Sequence, residues 1–151
     1  MEKIKILLVD DEEDFVKTIS QRLQRRGQES DIALSGEQAL SRIEQEVPDV
    51  IVLDLKMPGM DGLEVLRQVK KVSPEVQVII LTGHGSEKHE TEARHLGAFE
   101  YLNKPIDIQT LMRHVNRAYK NKIERTMTAA AFAEAGEFKT AKDILDHEKD
   151  K

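Results

Sequence analysis

"IKILLVDDEED", residues 4–14, opens on an apolar run and closes on five consecutive acids, Asp10 to Asp14. The run is rich in Ile, Leu and Val with little polar alternation, as expected of a strand covered on both faces. Five adjacent carboxylates repel one another, and crowded carboxylates resist ionising together. Acids favour the positive N-terminal end of a helix, so Glu12, Glu13 and Asp14 read as its first turn. That leaves Asp10 and Asp11 at the carboxyl end of the strand, as half of an oxygen-only site suited to a hard divalent cation such as Mg²⁺.

The same kind of run returns at "VIVLDL" (50–55) and "VQVIILT" (76–82), and more weakly at "AFEYL" (98–102). "QESDIAL" (28–34) is more polar and suits an edge strand. Between the runs, apolar residues recur at helical spacing: Phe15, Ile19 and Leu23; Ala39, Leu40, Ile43 and Val47; Leu63, Leu66, Val69 and Lys70. Ser35 with Gln38, and Asp61 with Glu64, have the spacing of capping boxes. Gly27 and Gly97 stand where helices should stop. A β-α unit repeated five times requires mostly parallel strands joined by right-handed crossovers. The fold predicted is a doubly wound α/β sandwich.

Bulk properties narrow the function. The 151 residues suit one domain with a real core. A net charge of −5 gives no overall attraction to nucleic acid or to an anionic membrane. No cysteine is present, which excludes disulfides, thiolate catalysis and cysteine-based zinc sites. No run approaches the length of a membrane span or of a signal-peptide core, so a cytoplasmic location is expected.

In open parallel sheets, ligands bind beyond the carboxyl ends of the strands, where strand order reverses. Strand one ends in Asp10-Asp11, strand three in Asp54, strand four in Thr82-Gly83, and strand five runs into Lys104-Pro105. Strand two ends in Ala33-Leu34, so polar endings are not general to this chain. Three carboxylates, a hydroxyl and an ammonium are therefore expected at one end of one sheet, with Asp54 completing the cation site.

These residues, in this order, resemble the receiver domain of two-component response regulators. The resemblance covers roughly residues 3–122 and rests on the acidic pair, on "DLKMPGMDG" around Asp54, on "LTG" at Thr82 and on "YLNKP" closing strand five. It implies a flavodoxin-like (βα)5 sheet of strand order 2-1-3-4-5. It also implies that Asp54 takes a phosphoryl group from a phosphohistidine on a sensor histidine kinase or a histidine phosphotransfer protein. Mg²⁺ would be held by Asp10, Asp11, Asp54 and the backbone carbonyl of Lys56. Lys104 would pair with the phosphoryl oxygens and Thr82 would donate its hydroxyl to them. Tyr101 would turn inward as Thr82 moves, although a half-buried strand tyrosine is an equal reading. The Lys104-Pro105 bond would be cis, and Gly83 would leave the phosphoryl group accessible. His84 and Lys56, each two residues past a site residue, are expected to overhang the site and to shield it from water.

Other features take plainer readings. His84, His89 and His95 have no metal-ligand spacing on a helix and read as solvated. Asp61-Gly62 reads as a helix cap, and Arg113, Arg117, Lys120 and Lys122 as a solvated helix face. A last helix is expected from Ile108 through Leu111, Met112, Val115, Tyr119 and Ile123, continuing towards Ala135. After Gly136 a short amphipathic piece (Phe138, Ala141, Ile144, Leu145) and a charged tail make residues 123–151 a helical extension rather than a second domain. The residues past the receiver are too few for a DNA-binding domain with its own core. The expected output is protein binding, by a monomer or a phosphorylation-dependent homodimer, with no enzymatic turnover beyond self-phosphorylation and autodephosphorylation. The competing readings are a pseudo-receiver scaffold, the N-terminal part of a larger transcriptional regulator, and a Mg²⁺-dependent phosphatase.

Overall fold

The computed structural model describes residues 3–134. Five strands, β1 (Ile6–Val9), β2 (Ser30–Ala33), β3 (Val50–Leu53), β4 (Gln77–Thr82) and β5 (Glu100–Asn103), alternate with five helices. These are α1 (Glu13–Arg25), α2 (Gly36–Gln45), α3 (Gly62–Val72), α4 (Glu87–His95) and α5 (Ile108–Glu134). All pairings are parallel and the strand order is β2-β1-β3-β4-β5, as the resemblance implies.

Strand side chains point alternately to opposite faces, and here both faces are covered. Leu7, Val9, Ile51, Leu53, Val78 and Ile80 face a core closed by α2, α3 and α4. Ile6, Leu8, Val50, Val52, Ile79 and Leu81 face the core closed by α1 and α5. This explains why the three central runs carry no polar alternation. β2, at the edge, keeps only Ala33 fully buried.

Helix ends follow their local chemistry. Ser35 and Asp61 accept the backbone N–H of Gln38 and Glu64, as their spacing predicts. Ser86 caps α4 in the same way, a cap that the sequence reading did not identify. Gly27 (φ 80°) and Gly97 (φ 103°) end α1 and α4 in the left-handed conformation. Paired bonds back into the last turn accompany each: Gly27 N–H to Gln24 and Gln28 N–H to Leu23, Gly97 N–H to Arg94 and Ala98 N–H to Ala93.

Two expected stripes shift. In α1 the buried residues are Val16, Ile19 and Leu23, and Phe15 is half-buried at the rim. α2 stops at Gln45, so Val47 falls beyond it and lies 43% exposed. Pro48, which cannot continue a helix, is buried in its place. α5 runs unbroken past residue 122 to Glu134. The amphipathic piece from Phe138 to Leu145 lies outside the described residues.

Candidate functional site

The sheet ladder itself assembles the site. The Asp10 N–H donates to the Ala33 carbonyl (3.1 Å), and the Asp54 N–H donates to that of Val9 (3.0 Å). Two neighbouring strands thus deliver two carboxylates side by side. The Lys104 N–H donates to the Thr82 carbonyl (2.9 Å), fixing the end of β5 against β4. The Lys104-Pro105 peptide is cis.

The Lys104 ammonium lies among three carboxylates: Asp10 Oδ2 at 2.7 Å, Glu12 Oε1 at 3.0 Å and Asp54 Oδ2 at 3.5 Å. It also sits over the Phe15 ring, 4.1 Å from its centroid, a cation–π contact. The Asp10 and Asp54 side chains are only 6% and 3% exposed, whereas Glu12 is 59% exposed. Burial pushes the Asp10 carboxyl above its ordinary range, against the hydrogen bonds from Lys104 and from the Glu12 N–H. Burial alone would lower Lys104, but hydrogen bonds to Asp10 and Glu12, with the Asp10 and Asp54 charges, hold it above its ordinary value. One ammonium thus faces three carboxylates, two of them buried. That donor set fits a further hard cation: oxygens of Asp10, Glu12 and Asp54 lie within 4.8 Å of one another.

The structure places the expected residues as follows. Asp10, Asp54 and Lys104 converge directly. Thr82 is fully buried at the end of β4, and its hydroxyl accepts the His84 N–H at 3.3 Å. Asp11 is exposed in the turn beside the trio of close carboxylates. Glu12, read from sequence as helix-start chemistry alone, joins the cluster through Lys104. No sequence signal marks this, because the two lie 92 residues apart. The Lys56 N–H reaches Asp54 Oδ1 at 3.4 Å, and the Lys56 side chain is exposed. His84 is exposed as well. His89, read as solvated, is half-buried and lines a cleft with Lys56, Met57 and Leu63.

Two glycines position the site. A Cβ at Gly62 would lie 2.3 Å from the Asp54 carbonyl oxygen and 2.6 Å from Leu55 Cα. The start of α3 therefore rests directly on the backbone that carries Asp54, and the Gly62 N–H donates to Leu55 (2.8 Å). Gly62 does more than the helix-cap reading allowed. A Cβ at Gly85 would lie 1.9 Å from the Tyr101 hydroxyl and 3.0 Å from Thr82 Cγ2. Tyr101 is buried, turned in beneath the β4–α4 loop, and its hydroxyl, which faces the Ser86 backbone, has no hydrogen-bond partner of ordinary geometry among the described residues. A side chain at Gly83 would instead meet Lys104 carbons at 3.8 Å, ordinary contact at the mouth of the site.

Comparison with known proteins agrees with this geometry. The chain is 35% identical over 113 residues to sporulation initiation phosphotransferase F of Bacillus subtilis, covering 75% of this chain and 91% of that one. It is 37% identical over 130 residues to the alkaline phosphatase synthesis transcriptional regulatory protein PhoP of B. subtilis, covering 86% of this chain. There the match spans only 52% of the relative, about half its length. A CheY-like response regulator receiver domain protein from Methanospirillum hungatei superposes with a TM-score of 0.78 at 28% identity, over 82% of this chain and 98% of that one. A receiver domain protein from Clostridium thermocellum does so with a TM-score of 0.75 at 39% identity, over 79% and 96%. The family model for the response regulator receiver domain matches residues 6–116. With five parallel strands in this order and buried acids facing one lysine, the chain belongs to the receiver domains of two-component response regulators.

Proposed function

We propose that Asp54 is the phosphoacceptor through which this receiver works as a switch, taking its phosphoryl group from a histidine kinase or a histidine phosphotransfer protein. The observation that carries this reading is the setting of Asp54. It is a carboxylate 3% exposed at a strand end, held beside Asp10 and 3.5 Å from the Lys104 ammonium. Attack by an Asp54 oxygen on phosphorus breaks the bond to the donor and leaves an acyl phosphate on the side chain. Little covalent work is asked of the protein beyond positioning and neutralising charge. Lys104, already aimed at the site, offsets charge on the transferred group. The Thr82 hydroxyl is the donor nearest to hand on β4.

Mg²⁺ fits the donor set. Asp10, Asp11, Asp54 and the Lys56 carbonyl would hold it, with Glu12 remaining the partner of Lys104. When bound, it supplies a fixed divalent charge beside the transferred oxygens. The added phosphoryl group, about −2 in charge, biases Thr82 and Tyr101, and through them the face formed by α4, β5 and α5. Self-phosphorylation and autodephosphorylation are the whole of the chemistry in this reading. Protein partners are the output, and nucleic acid is not contacted by this domain. No helix among the described residues is long and apolar enough to cross a membrane, in keeping with action in the cytoplasm. The receiver occupies residues 3–122, and residues 123–151 extend it.

Incubation with acetyl phosphate and Mg²⁺, read by intact mass, tests the assignment. One phosphate-sized increase is expected, lost in Asp54→Ala and lost when Mg²⁺ is chelated. An adduct that persists in Asp54→Ala would move the acceptor elsewhere. The absence of both adduct and released phosphate in the native chain would favour a scaffold without turnover.

A further inference from the structure

A phenylalanine stands at the mouth of this polar site. Phe15 packs along one edge of the core beneath α1 and α5 and stays half-buried. The Lys104 ammonium lies over its ring, 4.1 Å from the centroid. Glu12, three residues earlier and so on the same side of the helix start, reaches the same ammonium at 3.0 Å. The start of α1 thus offers Lys104 one charge and one ring.

The two contacts differ in kind. Lys104 has three N–H donors, and Asp10, Glu12 and Asp54 engage all three. The ring needs no donor, because it attracts the cation through the negative charge on its face. Its attraction is therefore added to the hydrogen bonds and leaves them in place. Little water reaches it. The Lys104 side chain is 12% exposed, and the space left between the ring, Asp10 and Asp54 is about 10 Å³, roughly one water. Cation–π contacts are strongest where water is kept out.

During transfer the three carboxylates cease to be equal. An Asp54 oxygen becomes bonded to phosphorus, and the side chain gives up its charge to the new group. A cation bound at the site draws on Asp10 as well. Glu12, 59% exposed and outside both events, then attracts the ammonium more than either and pulls it towards solvent. The ring is altered by neither event, and it lines the same crevice as Asp10 and Asp54. We propose that Phe15 is a positioning residue for phosphoryl transfer: its ring holds the Lys104 ammonium at Asp54 while the neighbouring carboxylates change their charge. The inference rests on the reading of Asp54 as the acceptor. An aliphatic side chain of similar size would fill the same space and supply no such hold.

The rate at which acetyl phosphate and Mg²⁺ phosphorylate the full chain, read by intact mass, tests this. Phenylalanine carrying one, two or three ring fluorines, placed at position 15 alone, keeps the ring's shape while draining negative charge from its face. Each added fluorine should slow the reaction, to a total of about fivefold, the worth of one such contact. Phe15→Leu should slow it by a similar factor. In a Lys104→Met background neither change should matter, since the cation they act on is gone. A side chain that only fills space would give a flat fluorine series. A flat series in a chain that takes up phosphate at Asp54 would overturn the inference alone, and so would an equal loss with and without Lys104. If the native chain takes up no phosphate, the reading of Asp54 fails and the inference with it.

Discussion

The two ends of this sheet use the same kinds of side chain to opposite effect. At the amino end Lys122 has Asp49, and the buried Gln77 amide is satisfied on both atoms, by the Glu75 carbonyl and by Asn121. At the carboxyl end one lysine serves three carboxylates, and the buried Tyr101 hydroxyl has no partner of ordinary geometry among the described residues. Matched polar groups hold a structure still. Unmatched ones leave it able to respond to whatever supplies the missing charge or bond. The difference marks the carboxyl end as the end with charge and bonding left to satisfy.

Removing one lysine from each end should break the symmetry most visibly. Lys104→Met strips from two buried carboxylates the cation they share, and such a loss costs about 3 kcal/mol. Mg²⁺ can replace that charge, so the variant's melting temperature should rise more with Mg²⁺ than the native protein's does. Lys122→Met removes half of a single half-buried pair, costs about 1 kcal/mol, and should show only the native response to Mg²⁺. Thermal unfolding with and without Mg²⁺ decides this. Equal responses in the two variants would mean that the carboxyl end is not short of positive charge.

The unmet hydroxyl gives the next test. Gly85→Ala puts a methyl group where the Tyr101 oxygen lies, so the ring must leave its site. Losing the burial of that ring costs about 2 kcal/mol. In a Tyr119→Phe background, Tyr101 is the single tyrosine, and the chain has no tryptophan. Its fluorescence should become open to an aqueous quencher in Gly85→Ala and remain shielded with glycine. Shielding in both would show that the loop, not the ring, gives way.

How much of this was legible in the sequence follows the same division. The strand runs, the Ser35 and Asp61 caps, the stops at Gly27 and Gly97, and the placing of Asp10, Asp54, Thr82 and Lys104 at strand ends were all readable. Each depends on neighbours a few residues away or on the topology those neighbours impose. Glu12 on Lys104, Gly62 on the Asp54 backbone and Gly85 on Tyr101 were not readable, because each is a contact across the fold. Phe15 fits the helical stripe of α1 as well as Val16 does, and only the position of Lys104 explains why the ring stays at the rim. Lys122 read as solvated because Asp49 lies 73 residues away.

Lys70 qualifies the idea that the amino end is fully matched. Its ammonium donates to the Val76 carbonyl at 2.6 Å and to the Pro74 carbonyl at 3.2 Å, with no carboxylate in contact among the described residues. Burial, and then the Arg125 charge, push its pKa from 10.5 down to about 8. A folded-state value below the unfolded one means that the unfolded chain binds the proton more tightly. The group therefore costs stability below pH 8, and the cost is relieved as pH rises towards 10.5. The full shift corresponds to a ceiling of about 3 kcal/mol, which the two carbonyl bonds reduce. Denaturant unfolding should show stability gained from pH 8 to pH 10 relative to Lys70→Met, in which that contribution is absent. Parallel curves would mean that the carbonyls hold the charge as well as water does.

The smallest effect sharpens the carboxyl end most. In the proposed site Asp10 and Asp54 would hold the cation, and the third acid would be either the exposed Asp11 or Glu12, whose oxygen already lies within 4.8 Å of theirs. The two candidates differ in what Lys104 would lose. If Glu12 turned to the cation, the ammonium would keep only Asp10 and Asp54, both then shared with a divalent charge. If Asp11 turned instead, Glu12 would stay on Lys104 and every charge would have an opposite at hand. The second arrangement costs less, so Asp11→Asn should weaken Mg²⁺ binding at least tenfold, about 1.4 kcal/mol. Glu12→Gln should weaken it less than about threefold. Calorimetric titration with Mg²⁺ separates the two. A larger loss in Glu12→Gln would make the close trio itself the ion site, and would leave Lys104 free of its exposed partner whenever the ion is bound.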